Sequence, residues 1–283
     1  MGVYKKILVA IDTSEDSWYT LEEAVKVIRN KDTWAVVLTV APQFKGDLSL
    51  LLNNDVHARI LKPYEDLLAK AREYFYKERI LSKFLLEEGD PYEKIVDMAY
   101  CENCDLIILG KRRSNLERLL LGSTTARVIG YSPVDVLVIP AKSKVSWERM
   151  LVAIDQSSYS ERAFLKALKL GKFYRSELYL LSVIDLPFEA ITYAPKLYET
   201  LGEKLKPYLQ DLQNKASSQG VKAEIFIKEG DPAEEITKFS QEKEIGIIVM
   251  GSYGKTGLKR LLMGSVTEKV ISLSEKPVLV VKS

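Results

Sequence analysis

The stretch KKILVAID at residues 5–12 occurs a second time as ERMLVAID at residues 148–155, with five consecutive identical positions. The second copy lies 143 residues after the first. Each copy is an apolar run that ends in an aspartate, a pattern typical of a buried parallel strand. A strand that recurs at such a distance indicates that a whole domain is repeated.

Three further blocks recur in the same order and at almost the same distance. EGDP at 88–91 recurs at 229–232, RLLLGS at 118–123 recurs as RLLMGS at 260–265, and VLVI at 136–139 recurs as VLVV at 278–281. A period of about 140 residues is far longer than a solenoid unit. We predict two copies of one domain, at residues 1–143 and 144–283. Because the joint near residues 140–146 is short, we expect the two domains to form an intramolecular pseudo-dimer.

Within each half, short apolar runs alternate with longer segments of helical period. This alternation predicts the α/β class, as two similar doubly wound domains, each with a mostly parallel five-stranded sheet and helices on both faces. The strand order cannot be read from the sequence. In the first half, the predicted strands are 7–11, 34–40, 83–87, 106–110 and 136–139, and the predicted helices are 17–29, 55–79, 91–102 and 124–130.

The composition excludes several classes of protein. Lys and Arg number 41 and Asp and Glu 39, a net charge of +2 that argues against a nucleic-acid-coating protein. No apolar run approaches the roughly 18 residues of a membrane-spanning helix, so we expect no membrane partner. The first residues lack the pattern of a signal peptide, and two cysteines do not make a disulfide scaffold. We therefore expect a cytoplasmic protein.

Glycines follow the fourth strand of the second half, where ligands of doubly wound sheets bind. Gly251 and Gly254 are expected to take φ > 0 and to expose N–H groups as an anion-binding nest. Gly264 and Ser265 precede a predicted helix at 266–273, whose amino end offers amides to a phosphate. The alternative for each glycine taken alone is a role as a turn or cap residue. Taken together, the glycines favour a phosphate-binding site.

Asp155 and Val183 end the first two strands of the same half, so both are expected at this edge of the sheet. The Asp155 carboxylate could accept hydrogen bonds from a ribose or an amino group. The sequence GKT at 254–256 is not a P-loop, because Val249 stands where that motif requires glycine.

Each half resembles the universal stress protein domain, and the resemblance covers nearly the whole chain. Its most specific element is the ATP-binding pattern G-x2-G-x9-G-[ST], which is matched by Gly251, Gly254, Gly264 and Ser265. The run LVAID followed by Ser157 and the closing PVLVV at 277–281 also fit. Domains of this family pair through the last strand, so the tandem chain could make that pairing internal, and further homo-dimerisation stays open.

The resemblance implies an adenine nucleotide, ATP with Mg on its phosphates, as the ligand. In nucleotide-binding members the aspartate after strand one and the backbone of a valine after strand two hold the adenosine, while the glycine loop and the Gly-Ser turn hold ribose and phosphates. No metal-binding side chain and no catalytic residue are predicted. The predicted nucleotide-binding residues are Asp155, Val183, Met250, Gly251, Gly254, Gly264, Ser265 and Val266.

The first half departs from this pattern. Its loop has no middle glycine, because Lys111-Arg112-Arg113 occupies that stretch, and it is one residue shorter. The basic side chains could form a substitute phosphate clamp, fill the pocket, or belong to a solvated loop. The residues of this degenerate second site are Asp12, Val40, Gly110, Gly122, Ser123 and Thr124.

Other reactive residues are expected to be structural. Cys101 and Cys104 lie at the end of a predicted helix, where the helix dipole disfavours a thiolate. His57 is the one histidine and is predicted to lie on the surface, which argues against triad hydrolysis. The irregular stretches 48–56 and 187–198 could cover a ligand, form a partner surface or pack on their own domains.

The sequence thus favours an ATP-binding regulatory or stress-response protein whose protein partners are unknown. No general base is evident, so we expect ATP hydrolysis to be slow at most. The alternatives are a nucleotide-free dimerisation module and an ATP-using enzyme of a related α/β fold.

Overall fold

The computed structural model describes residues 2–28, 32–43, 54–111, 121–186, 196–254 and 263–282, and for residues 54–56 the backbone alone. These ranges contain eight helices and ten strands. The chain divides into two compact units, whose main parts are residues 1–113 together with 122–142, and residues 143–283.

The first unit alternates strands and helices throughout. Its elements are β1 (Lys6–Ile11), α1 (Glu15–Ile28), β2 (Trp34–Ala41), α2 (Asn54–Lys77), β3 (Ser82–Glu88), α3 (Pro91–Cys101), β4 (Leu106–Lys111), α4 (Ser123–Tyr131) and β5 (Asp135–Pro140).

The second unit repeats this order. Its elements are β6 (Arg149–Ala153), α5 (Ser158–Tyr174), β7 (Glu177–Ile184), α6 (Leu197–Ser218), β8 (Lys222–Glu229), α7 (Pro232–Glu242), β9 (Ile247–Gly251), α8 (Ser265–Leu273) and β10 (Val278–Val281).

The strands of each unit form a parallel five-stranded sheet. The order is β3-β2-β1-β4-β5 in the first unit and β10-β9-β6-β7-β8 in the second. All of the pairings reported within the units are parallel, such as Ala153 beside Leu181 and Val152 beside Val249. The predicted α/β class is therefore confirmed. In both units the chain order reverses beside the first strand, between β1 and β4 and between β6 and β9.

Burial explains why these apolar runs are strands. Every residue of β5 and of β9 is buried, whereas the outer strand β3 is half-buried along most of its length. Continuous Val, Ile and Leu runs are typical of parallel strands that helices cover on both faces. No helix in the described part of the chain is long and apolar enough to span a membrane.

Side-chain caps fix where several helices begin. Asp90 and Asp231 precede the prolines that open α3 and α7. The Asp90 carboxylate accepts one backbone N–H of the first turn and the Asp231 carboxylate accepts two. Ser157 caps α5 in the same way, by accepting the N–H of Ser160 at 3.1 Å. The cap on α5 fixes the start of the helix that contacts the candidate site of the second unit.

Candidate functional site

The predicted residues of the second unit meet where the strand order reverses. Asp155 follows β6, Gly251 ends the neighbouring strand β9, and Val183 lies near the end of β7 on the other side of β6. Continuing the register of Ala153 and Leu181 by two residues places Asp155 opposite Val183. This edge is where doubly wound sheets bind ligands.

The turn before α5 fixes the Asp155 carboxylate. The Ser157 N–H donates to Asp155 Oδ1 at 3.0 Å, and the Asp155 N–H donates to the Ser160 hydroxyl oxygen at 3.3 Å. Asp155 is half-buried. The hydrogen bond from Ser157 holds its carboxylate at the amino end of α5, at the edge of the site.

Gly251 and Gly254 permit close approach of the chain to its surroundings. A Cβ on Gly251 would lie 2.7 Å from the Tyr159 Cβ and 2.9 Å from the Tyr159 carbonyl oxygen, so β9 ends directly against α5. A Cβ on Gly254 would lie 2.8 Å from Asp155 Oδ2. The chain therefore passes immediately beside the carboxylate, and a side chain at Gly254 would displace it.

The prediction of positive φ at Gly251 and Gly254 is wrong. Among the described glycines, positive φ values occur at Gly89, Gly220 and Gly230. Gly251 is required because the strand end touches the backbone of α5, whereas a side chain at Gly254 would displace the Asp155 carboxylate. A nest built from left-handed residues is not present at these two positions.

Residues 251–254 and 263–264 flank the glycine-rich loop of the second half, and we call them its stem. Gly264 closes this stem. Its N–H donates to the Ser252 carbonyl oxygen at 2.8 Å, and the Thr267 hydroxyl donates to the Gly251 carbonyl oxygen at 2.9 Å. A Cβ on Gly264 would lie 3.2 Å from the Tyr253 Cα and 3.4 Å from the Gly254 nitrogen. Gly264 and Gly254 therefore approach each other closely, an arrangement that we call the cradle, and a side chain on Gly264 would press on this backbone.

Helix α8 begins at this cradle. Gly264 is its N-cap residue and offers no capping side chain, so the first amides of the helix are not satisfied by a side chain at that position. Ser265 is exposed and Val266 is half-buried. Met250 is only 4% exposed, so its side chain belongs to the core and its backbone alone could reach a ligand.

A pair of tyrosines lies beside the loop stem, and the sequence did not predict this contact. The rings of Tyr159, in the first turn of α5, and Tyr253 are 5.3 Å apart between centroids. Burial, followed by the neighbouring Tyr159, raises the pKa of Tyr253 above its ordinary value. The only feature of the sequence that pointed to Tyr253 is its place between Gly251 and Gly254, the first two glycines of the ATP-binding pattern.

The first unit preserves the strand-one part of this arrangement. The Ser14 N–H and hydroxyl both donate to Asp12 Oδ1, and the Asp12 N–H donates to the Ser17 hydroxyl oxygen at 2.7 Å. Val40 is half-buried near the end of β2, as Val183 is in β7. The structure thus places Asp12 and Val40 as it places their counterparts.

The glycine turn of the first unit differs. A Cβ on Gly110 would lie 2.5 Å from the Thr20 hydroxyl oxygen, whereas no described atom lies within 4 Å of a Cβ on Gly122. Ser123 is exposed and Thr124 is half-buried at the start of α4. Lys111 ends β4, and Arg112 and Arg113 lie outside the described residues, so the proposed basic clamp is not tested.

The other candidate residues lie apart from both glycine turns. Cys104 is buried and Cys101 exposed, and the two are not joined. His57 Nε2 lies 3.1 Å from Glu88 Oε2 on the surface. Most of the stretches 48–56 and 187–198 lie outside the described residues.

Acidic clusters and grooves do not mark the site. Within the described ranges, no group of three or more His, Cys, Asp or Glu side chains could hold a metal ion. Two surface grooves lie elsewhere, one beside α6 around Pro207 and one between α1 and α2 around Trp18 and Tyr74. Neither groove is lined by a predicted site residue.

Fold and topology together define a tandem α/β protein in which each unit reverses its strand order beside its first strand. The model of the universal stress protein family matches the chain twice, over residues 3–140 and 146–282. The chain belongs to the universal stress protein family and contains two copies of its domain.

Individual relatives agree with this membership. Universal stress protein YxiE of Bacillus subtilis is 39% identical over 147 residues, covering 48% of this chain and 99% of that protein. Universal stress protein E of Salmonella typhi is 22% identical over 309 residues, covering 100% of this chain and 95% of that protein. A universal stress protein from Archaeoglobus fulgidus has the same fold, with a TM-score of 0.78, 24% identity and 99% of each chain covered.

A universal stress protein solved in complex with cAMP covers 50% of this chain, at 21% identity and a TM-score of 0.39.

Proposed function

We propose that this protein is an ATP-binding regulatory or stress-response protein whose working nucleotide site lies in the second unit. The observation that carries the proposal is the cradle at Gly254 and Gly264, because a Cβ on Gly254 would displace the Asp155 carboxylate and a Cβ on Gly264 would press on the backbone of Tyr253 and Gly254. The residues proposed to line the site are Asp155, Val183, Met250, Gly251, Gly254, Gly264, Ser265 and Val266.

The phosphates are proposed to bind at the amino end of α8. There the first helix amides and the positive end of the helix dipole favour an anion, and Gly264 leaves room for it. Asp155 and the backbone beside Val183 are proposed to hold the adenosine, since both lie at the same sheet edge. Mg is proposed to bind through the phosphates, because the described residues offer no carboxylate cluster for it.

A regulatory role fits the site better than catalysis. Asp155 is the carboxylate at the cradle, and its Oδ1 already accepts the Ser157 N–H. A strong hydrolase would need a positioned base and a set of metal ligands. We propose that nucleotide occupancy biases a surface that protein partners recognise, and that hydrolysis is slow at most. The cytoplasm is the proposed compartment, consistent with two unjoined cysteines.

A matched pair of glycine variants tests the location of the site. Gly264 and Gly122 are both N-cap residues with φ of −67° and −55°, which any residue can adopt. Gly264→Val would press on the backbone of the cradle, whereas Gly122→Val meets no described atom. By calorimetric titration with Mg-ATP, we expect Gly264→Val to weaken binding by more than about tenfold and Gly122→Val to leave it unchanged.

The controls separate the alternatives. Thermal unfolding without nucleotide must show that both variants are folded. If Gly264→Val binds ATP as the parent does, the site lies elsewhere. If the parent protein binds no nucleotide, the result favours the alternative function, a nucleotide-free dimerisation module. Turnover of ATP that depends on a second substrate would favour the enzyme.

A further inference from the structure

The stem of the glycine-rich loop is held from two sides. On the side of α8, backbone carbonyls of Gly251 and Ser252 accept the Thr267 hydroxyl and the Gly264 N–H. On the side of α5, the ring of Tyr253 packs on the ring of Tyr159, with centroids 5.3 Å apart and planes inclined by 54°. The ring contact is thus a side-chain anchor in a segment flanked by glycines.

Tyr159 contacts the stem at two places. Its backbone lies against Gly251, where a Cβ would be 2.7 Å from the Tyr159 Cβ, and its ring lies against Tyr253. Tyr253 in turn lies against Gly264, whose ideal Cβ would be 3.2 Å from the Tyr253 Cα. A shift of the Tyr253 backbone is therefore transmitted to the amino end of α8, where the phosphates are proposed to bind.

Arg162 fixes the orientation of the Tyr159 ring from within α5. Its guanidinium carbon lies 4.6 Å from the ring centroid. Within the described part of the chain, the buried Arg162 Nε has no hydrogen-bond partner. Such a stack restricts the ring because the guanidinium is attracted to the π-face.

The first half lacks this arrangement. When the two copies of LVAID are aligned, Asp16 and Tyr19 correspond to Tyr159 and Arg162. When the ends of the fourth strands are aligned, Arg112 corresponds to Tyr253. The contact between Tyr159 and Tyr253 therefore occurs in the half that keeps the complete glycine pattern.

We propose that Tyr159 is a positioning residue for nucleotide binding, which holds the loop stem in its binding conformation through the ring of Tyr253. The inference rests on the proposed function and concerns the phosphate-binding part of the site. Adenosine alone should not depend on this anchor, because it is held by Asp155 and the edge near Val183.

The first unit supplies a matched control. Tyr92 and Tyr131 form a similar pair, with centroids 5.6 Å apart, and the Arg127 guanidinium carbon lies 3.7 Å from the Tyr92 centroid. These residues lie on α3 and α4 of the first unit, and none of them is a predicted site residue. Removing the Tyr131 ring removes a comparable aromatic contact without touching the proposed site.

The test compares Mg-ATP and adenosine binding by calorimetry for the parent, Tyr159→Leu, Tyr159→Phe and Tyr131→Leu. From the usual strength of an aromatic pair, we expect Tyr159→Leu to weaken ATP binding by roughly three- to tenfold. Adenosine affinity should change by less than about twofold, within the scatter of such values. Tyr159→Phe keeps the ring and should restore ATP affinity, and Tyr131→Leu should bind ATP as the parent does.

Each contrary outcome is distinguishable. If the parent binds ATP and Gly264→Val does not, but Tyr159→Leu binds as the parent does, the positioning role alone is overturned. Equal losses for ATP and adenosine would also overturn it, because they indicate a general defect. If the parent binds neither ligand, the proposed function fails and this inference fails with it. Should Tyr159→Leu not fold by thermal unfolding, Tyr253→Leu replaces it with the same expected selectivity.

Discussion

Cys104 and Cys101 lie in very different environments although they share a C-x-x-C motif. Cys101 is exposed at the end of α3, and Cys104 is 5% exposed just before β4. Burial raises the pKa of the Cys104 thiol to about 12, with Lys6 nearby opposing the shift. Because the thiolate is the reactive form, this environment favours a structural role over redox chemistry.

We expect one thiol of the native chain to react with a thiol reagent at pH 8, and two after denaturation. Cys101 is accessible, whereas Cys104 is both shielded and protonated at that pH. A Cys101→Ser variant should show no fast-reacting thiol in the native state. Two equally fast thiols in the native parent would contradict the burial of Cys104.

The elements of the fold could be predicted because each is signalled locally, but contacts between distant elements could not. β4 and β9 are continuous apolar runs, and α3 and α7 follow an Asp-Pro start. By contrast, nothing in the sequence brings Tyr159 to Tyr253. The conformation of Gly251 and Gly254 was also missed, because a glycine needed for close packing looks the same in sequence as one needed for positive φ.

Two helices of the second unit are joined by one carboxylate. Asp231 Oδ1 accepts the N–H groups of Ala233 and Glu234 at 2.9 and 3.1 Å, and Oδ2 accepts a hydrogen bond from Lys269 of α8 at 3.0 Å. Burial opposes ionisation, but the Lys269 hydrogen bond and the two amides outweigh it and lower the pKa of Asp231. Asp231 thus couples the start of α7 to the helix that begins at the cradle.

We expect Asp231→Ala to lower the free energy of unfolding by about 1–2 kcal/mol, chiefly through the lost cap. The ion pair adds little, because the Lys269 side chain is 61% exposed. Asp231→Asn keeps an acceptor for the amides and should cost less. Denaturant unfolding at pH 7 measures both differences, and Ala and Asn variants of equal stability would contradict the cap.

The contribution of Asp231 should also depend on pH. Since its pKa is lower in the folded state than its ordinary value of 3.8, the stabilisation is complete well above 3.8 and is lost as the pH falls through the folded pKa. The advantage of the parent over Asp231→Asn should therefore shrink in strongly acidic solution. An advantage that does not change with pH would contradict an ionised native Asp231.

At the scale of the whole chain, two domains of one family differ where the ligand is proposed to bind. Asp12 and Asp155 make the same turn contacts, so strand one does not distinguish the halves. The loop sequences do, because the second half keeps the middle glycine, Gly254, where the first half has Lys111-Arg112-Arg113. The first half also has one loop residue fewer between Gly110 and Gly122 than the second has between Gly251 and Gly264.

This difference predicts unequal occupancy, which chemical analysis of freshly purified protein can measure. After denaturation, we expect the released adenine nucleotide to approach one molecule per chain, identified by chromatography and mass spectrometry. Gly264→Val should then release almost none, and Gly122→Val should release as much as the parent. Two molecules per chain would mean that the loop beginning at Lys111 forms a second site despite its missing glycine. No released nucleotide, together with no thermal shift on adding Mg-ATP, would leave the universal stress protein fold here acting through protein contacts alone.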